Sequence, residues 1–282
     1  MKVLDETTRD LSKLIAADFG RCTEKEVRSH LLDWLHYKAR NIPPLPRKLL
    51  VSDEVVAHSK TIPSIERICE NLRYGVEMSP WLSNRIRLQK ANHRADLMFN
   101  DWQIAHFHLG NIFETSSRIR RTAALLFAHI TAEKVTLLDV QPHGSWSRTK
   151  LLEILLKTDP SAGYQLNGIS VERLSDREYQ NLRVNGVNSA IKIGGKVFMP
   201  GLGITSSGHA LRIVNYEMWF WRHVDFLTKQ IAANAVDTRL KSVFLSTIGM
   251  PVRLGAWYDP SGLTIIDKNR GNLVLHQMKP IE

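Results

Sequence analysis

The chain has 282 residues, of which 43% are hydrophobic and 23% charged, a balance typical of globular proteins that excludes disorder along the whole length. Its 38 Lys and Arg outnumber its 28 Asp and Glu, giving a formal net charge of +10, and such a surplus attracts polyanions, most often nucleic acid. Its apolar runs are too short for a membrane span of about 20 residues, and its two cysteines give no disulfide framework. We therefore expect a cytoplasmic protein that does not bind membranes.

Residues 1–92 are predicted to form an N-terminal helical region, because apolar residues recur there at helical spacing. Pro80 stands where the first turn of a helix tolerates proline, which predicts a short basic helix through Lys90. Arg85 and Arg87 on that helix are candidate nucleic-acid-binding residues, since their charges can meet phosphate. A solvated helix face is the alternative interpretation.

Residues 93–160 are predicted to form a central β-rich core that carries the catalytic residues. Four of the eleven histidines lie between Ala105 and Gly144. The pattern predicts one strand at Asp96–Phe99 and another at Ile104–Leu109, with a turn between them. Within the second strand, His106 and His108 are two residues apart, so a strand directs both side chains to one face.

A hairpin follows, with predicted strands at Ala123–Thr131 and Lys134–Gln141. Both runs are almost entirely apolar, which places them in the middle of a sheet and predicts that His129 is a buried structural residue. A leucine-rich helix after the second strand is expected to flank the sheet.

Residues 161–282 are predicted to form a C-terminal α/β region. It contains a hairpin over Ala190–Pro200 that turns at two glycines, an amphipathic helix over Tyr216–Ala233 and a three-stranded meander over Val252–Met278. The fold class predicted from the whole chain is α+β, with N-terminal helices, a central, mainly antiparallel sheet with a flanking helix, and a C-terminal extension ending in the meander.

The residue types in the central segment suggest RNA cleavage without a cofactor. RNA carries its own nucleophile, the 2′-hydroxyl, so cleavage requires a base, an acid and cations on the phosphate. His106, His108 and His143 are the candidate proton-transfer groups because imidazole titrates near neutral pH, and Arg121 is the candidate phosphate contact. Further candidate nucleic-acid-binding residues are Arg118, Arg120 and Lys150.

Two other interpretations stay open at this stage. Asp96 with His106 and His108 is a mixed carboxylate–imidazole set that suits a divalent metal ion, as in a metal-dependent nuclease. The chain is alternatively a non-catalytic protein whose basic face only binds nucleic acid or an acidic partner protein such as an antitoxin.

Residues 104–156 resemble the RelE-type toxin endoribonucleases. The resemblance rests on a strand ending in HFHLG, a basic loop SRIRRT, the hairpin ALLFAHITAEKVTLLDVQ and the terminal PHG. It implies an endoribonuclease in which Arg121 contacts phosphate and His143 acts as an acid or base.

Overall fold

The computed structural model describes residues 1–83, 85–86, 96–110, 113–115, 118–145, 148–199, 203–247 and 249–281. These residues form a mixed α+β protein, as the sequence predicts. The chain divides into two compact units, the first made of residues 1–35 and 213–281 and the second of residues 36–212. Both boundaries of the predicted three-part division, after residues 92 and 160, lie within the second unit.

The helices are α1 (Thr7–Phe19), α2 (Val27–Arg40), α3 (Asp53–Ser59), α4 (Ser64–Tyr74), α5 (Leu97–Trp102), α6 (Thr149–Thr158), α7 (Asp176–Val184), α8 (Leu211–Ala232) and α9 (Thr238–Leu245). The strands are β1 (Val3–Asp5), β2 (Lys48–Val51), β3 (Ile104–His108), β4 (Phe113–Thr115), β5 (Arg118–Ile119), β6 (Ala124–Ile130), β7 (Lys134–Pro142), β8 (Tyr164–Leu166), β9 (Ile191–Ile193), β10 (Lys196–Met199), β11 (Val252–Asp259), β12 (Gly262–Asp267) and β13 (Leu273–Gln277). None of the described helices combines the length and the apolar character needed to cross a membrane.

The first unit contains a four-stranded sheet in the order β1-β11-β12-β13. The predicted C-terminal meander is confirmed as β11, β12 and β13, and β1, which the sequence pattern did not predict, joins it in parallel with β11. Helix α1 packs against β11. Lys268 Nζ binds Asp10 at 2.8 Å and Glu6 at 3.1 Å, which ties the meander to the start of the chain.

The second unit contains a sheet in the order β2-β7-β6-β3. The predicted hairpin is confirmed as β6 and β7, and these apolar strands occupy the two central positions. Strand β3 pairs antiparallel with β6, while β2 runs parallel to β7. The sheet is therefore mainly antiparallel, and its only parallel pair among the described strands is the one made by β2.

The core of the second unit lies where α6 packs against this sheet. Leu151, Leu152 and Leu155 of α6 are at most 1% exposed, as expected for the apolar stripe of a flanking helix. They share a cluster with Leu125 and Phe127 of β6. The same unit holds a smaller sheet, β8-β10-β9, which confirms the hairpin predicted at the two glycines.

One predicted element is wrong. Asp96–Phe99 is not a strand, because Asp96 caps helix α5: its Oδ1 accepts a hydrogen bond from the backbone N–H of Phe99 at 3.1 Å. A short apolar run after an aspartate is compatible with either a strand or the first turn of a helix. Here the N-cap hydrogen bond stabilises the helix. Pro80 itself lies in a short 3-10 helix over Ser79–Trp81. Of the basic helix predicted to follow it, Arg85 and Ile86 are helical, and residues 87–90 lie outside the described part of the chain.

Candidate functional site

The candidate site lies at one end of the sheet of the second unit. Strand β3 ends there at His108, and β6 begins there at Ala124. Strand β7 ends at the same edge, since Pro142 pairs with Ala124 and the backbone N–H of His143 donates to Ala123 O at 2.8 Å. Antiparallel pairing thus gathers the HFHLG, SRIRRT and PHG segments at one edge.

A cavity of about 260 Å³ opens at this edge. Five of the residues singled out from the sequence lie in its wall: Arg85, Asp96, His106, Arg121 and His143. They come from a helical turn, a helix cap, a strand and two loops. The structure therefore brings together two of the three candidate proton-transfer histidines and two of the candidate phosphate-binding arginines, Arg85 and Arg121.

His106 and Asp96 form a pair within the cavity wall. Nδ1 of His106 lies 3.5 Å from Oδ2 of Asp96, and the two side chains are 13% and 14% exposed. The other carboxylate oxygen of Asp96 accepts the hydrogen bond that caps α5. Because the cap anchors the carboxylate, Asp96 can orient the His106 imidazole.

The hydroxyl of Thr122 and the small size of Gly110 position the loop that carries Arg121. Thr122 Oγ1 accepts from the backbone N–H of Leu109 at 2.9 Å and donates to Ala124 O at 2.6 Å. Gly110 permits this close approach, since a Cβ on it would lie 2.0 Å from the carbonyl oxygen of Arg120. The loop is therefore held against the end of β3, with Arg121 in the cavity wall.

His108 is buried behind this wall. It is 3% exposed, and neither ring nitrogen has a hydrogen-bond partner among the described residues. Burial, together with the positive charge of Arg121, lowers the pKa of His108 to about 4. His108 is consequently neutral at pH 7 and is not among the described residues of the cavity wall.

The cavity also contains residues that sequence reasoning missed. Arg40, at the end of α2, is 2% exposed, and Arg183, on α7, is 3% exposed. Gln180, one turn before Arg183, lines the same wall. No local motif marks these positions, since they are brought to the site from distant parts of the chain.

A buried ion pair holds Arg183. Its Nε donates to Oδ2 of Asp101 at 2.7 Å, and the Tyr179 hydroxyl donates to the same oxygen at 3.4 Å. Burial raises the pKa of Asp101 to about 6 despite the opposing charge of Arg183, which leaves the carboxyl ionised at neutral pH. Burial alone would lower the pKa of Arg183, but the adjacent Asp101 carboxylate outweighs burial and raises it.

The remaining candidates lie elsewhere or outside the described residues. Arg120 is exposed and Lys150 lies 3.5 Å from Glu153 on α6, and neither lines the cavity. Only the backbone of Arg118 is described, and Arg87 falls outside the described ranges. His129 is 3% exposed, which confirms its predicted burial.

The positive charge of the chain is concentrated in the unit that holds the cavity. Residues 36–212 carry 24 Lys and Arg against 15 Asp and Glu, whereas residues 1–35 and 213–281 carry 14 against 12. Among the described residues, four arginines, of which Arg183 is paired with Asp101, and one carboxylate line the cavity itself. This imbalance attracts an anion such as phosphate.

The metal-binding interpretation finds no ligand set in the described ranges. No three of the His, Cys, Asp and Glu residues there are grouped so that they could hold a metal ion. Asp96 and His106 are paired, but His108 does not complete such a group with them.

No protein-family model, curated protein or solved structure matches this chain. The resemblance to RelE-type toxin endoribonucleases thus stays a prediction.

Proposed function

We propose that the chain is a toxin-like ribonuclease that cleaves RNA at this cavity by metal-independent acid–base catalysis. The observation that carries the proposal is that two histidines and an arginine, His106, His143 and Arg121, line one cavity, with Asp96 beside the first histidine. Acid–base cleavage of RNA needs a base, an acid and a cation on the phosphate at one place.

In the proposed mechanism, His106 accepts the proton of the 2′-hydroxyl, and the resulting oxygen nucleophile attacks the adjacent phosphorus. The bond to the 5′-oxygen breaks as His143 donates a proton to that leaving oxygen. The products are a 2′,3′-cyclic phosphate and a free 5′-hydroxyl. Arg121 and Arg40 stabilise the negative charge that builds on the phosphoryl oxygens.

Asp96 has a supporting role in this mechanism. Its carboxylate lies 3.5 Å from Nδ1 of His106 and orients the ring, so that Nε2 is the atom proposed to accept the substrate proton. His108 is too buried and too weakly basic to donate a proton at pH 7. The positive surplus of the second unit also suits an acidic inhibitor protein that would cover the cavity.

The test is cleavage of single-stranded RNA by the purified protein in the presence of a chelator. We expect a 2′,3′-cyclic phosphate product, and we expect His106→Ala and His143→Ala to slow cleavage by roughly 10²- to 10⁴-fold, the usual contribution of a general acid or base. His58→Ala is the matched control, because His58 also lies 3.5 Å from an aspartate, Asp139, and lies outside the described wall of the cavity.

Three results would contradict the proposal. Intact RNA with tight binding indicates a non-catalytic nucleic-acid-binding protein. Activity that chelator abolishes and a divalent ion restores indicates the metal-dependent alternative. Equal activity in the His106, His143 and His58 variants would remove the cavity from the reaction altogether.

A further inference from the structure

The wall of the cavity formed by α7 and α5 differs from the wall that holds the two histidines. It carries Arg183 and Gln180 beside the apolar side chains of Met98 and Val184. Met98 is 2% exposed and Val184 is 56% exposed, so the apolar surface continues from the interior to the mouth. A wall with a few polar groups set in apolar surface is typical of sites that bind small organic molecules.

The charge of Arg183 is already balanced. Asp101, whose side chain is 5% exposed, accepts its Nε–H at 2.7 Å. A guanidinium neutralised by a buried carboxylate has little net attraction for a phosphate, which Arg40, Arg85 and Arg121 are better placed to bind. It is suited to donate hydrogen bonds to uncharged acceptors, and its orientation is set by the pair with Asp101.

We propose that Arg183 and Gln180 form a subsite for a guanine base next to the phosphate that is cleaved. Guanine presents two adjacent acceptors, N7 and O6, which match the donors of an arginine, whereas adenine presents N7 beside an amino donor. The apolar surface of Met98 and Val184 contacts the face of an unstacked base, as in other sites that bind single-stranded RNA. This inference rests on the proposed function in taking the cavity as an RNA site, and it adds a base preference.

The experiment measures binding of the four nucleoside 3′-monophosphates to the full chain by calorimetry, independently of cleavage. We expect the guanosine compound to bind about tenfold or more tightly than the adenosine compound, within the range for a bidentate arginine–guanine contact. Arg183→Lys should bring this ratio close to one, because lysine lacks the planar fork of donors. Gln180→Ala, at an exposed position, should lower the ratio by a smaller factor.

The control is Arg270→Lys. Arg270 is paired with Asp267, and the two side chains are 4% and 0% exposed, so the change perturbs an equally buried arginine–aspartate pair in the first unit. It should leave the base preference intact. If Arg183→Lys fails to fold, the wild-type protein still tests the inference with 7-deazaguanosine monophosphate, which lacks the N7 acceptor and should bind more weakly than the guanosine compound.

Equal binding of all four compounds by the wild-type protein would overturn the inference, and so would equal binding of the deaza compound. Failure of the proposed function gives a different result. Guanine-selective binding without RNA cleavage would support the guanine subsite and contradict the ribonuclease function. RNA cleavage without any base preference would support the ribonuclease function and contradict the guanine subsite.

Discussion

Two histidine–aspartate pairs lie at opposite ends of one row of residues in the sheet of the second unit. His106 on β3 pairs with Phe127 on β6, which in turn pairs with Asp139 on β7. His106 lies 3.5 Å from Asp96, and Asp139 lies 3.5 Å from His58. The two pairs have the same separation, but the first lines the cavity and the second lies outside the described wall of it.

The difference between the pairs is in their surroundings. His58 is 42% exposed, so water screens its interaction with Asp139, whereas His106 is 13% exposed and shares its cavity with arginines. Solvent screening weakens an exposed ion pair, and a proton-transfer group needs a bound substrate within reach. A short histidine–aspartate distance alone therefore does not identify a site.

The largest expected effect is a loss of folding stability at low pH caused by two buried histidines, His108 and His129, in contrast to the exposed His58. Burial lowers the pKa of each to about 4, below the unperturbed value of about 6.5. As pH falls from about 6.5 to 4, the unfolded chain therefore takes up protons that the folded chain does not, and the folded state loses stability. We expect a loss of up to roughly 3 kcal/mol per histidine, at about 1.4 kcal/mol per pKa unit.

The measurement is the free energy of unfolding by urea at pH 7 and pH 4. His108→Gln, which does not titrate, should flatten this pH dependence, while His58→Gln at the exposed pair should leave it close to that of the wild type. An unchanged difference between pH 7 and pH 4 in the His108 variant would show that His108 is protonated in the folded protein.

The next largest expected effect is a loss of RNA cleavage when the carboxylate of Asp96, but not that of Asp139, is changed. Asp96→Asn removes the charge beside His106 but keeps an oxygen that can cap α5, so the fold should be retained. We expect RNA cleavage to fall about tenfold, mainly in kcat rather than KM, because orientation of the base matters most in the transition state. Asp139→Asn makes the same change beside His58 and should leave cleavage near the wild-type rate. Equal losses in both variants would mean that neither carboxylate acts through its histidine.

Some features of the fold and of the candidate site can be predicted from the sequence, and others depend on long-range packing. The apolar hairpin and its central place in the sheet follow from periodicity. His106, His143 and Arg121 stand out in the sequence by their chemistry, whereas their meeting in one cavity depends on the fold. The sequence pattern wrongly predicts a strand at Asp96, which caps a helix in the structure. A short apolar run is ambiguous between helix and strand. Arg40 and Arg183 could not be assigned, since their place in the cavity depends on long-range packing that leaves no local pattern.

The smallest expected effect separates two neighbouring arginines in the basic loop. Arg121 lines the cavity, whereas Arg120 is exposed and outside the described wall. If Arg121 contacts one phosphate, Arg121→Gln should weaken RNA binding severalfold and reduce the slope of log K against log salt by about 1. Arg120→Gln should change the slope less, because an exposed arginine away from the bound phosphate releases few counterions. Binding titrations at several salt concentrations compare the two variants, and equal slopes would show that the loop acts only as a diffuse positive surface rather than through one directed side chain.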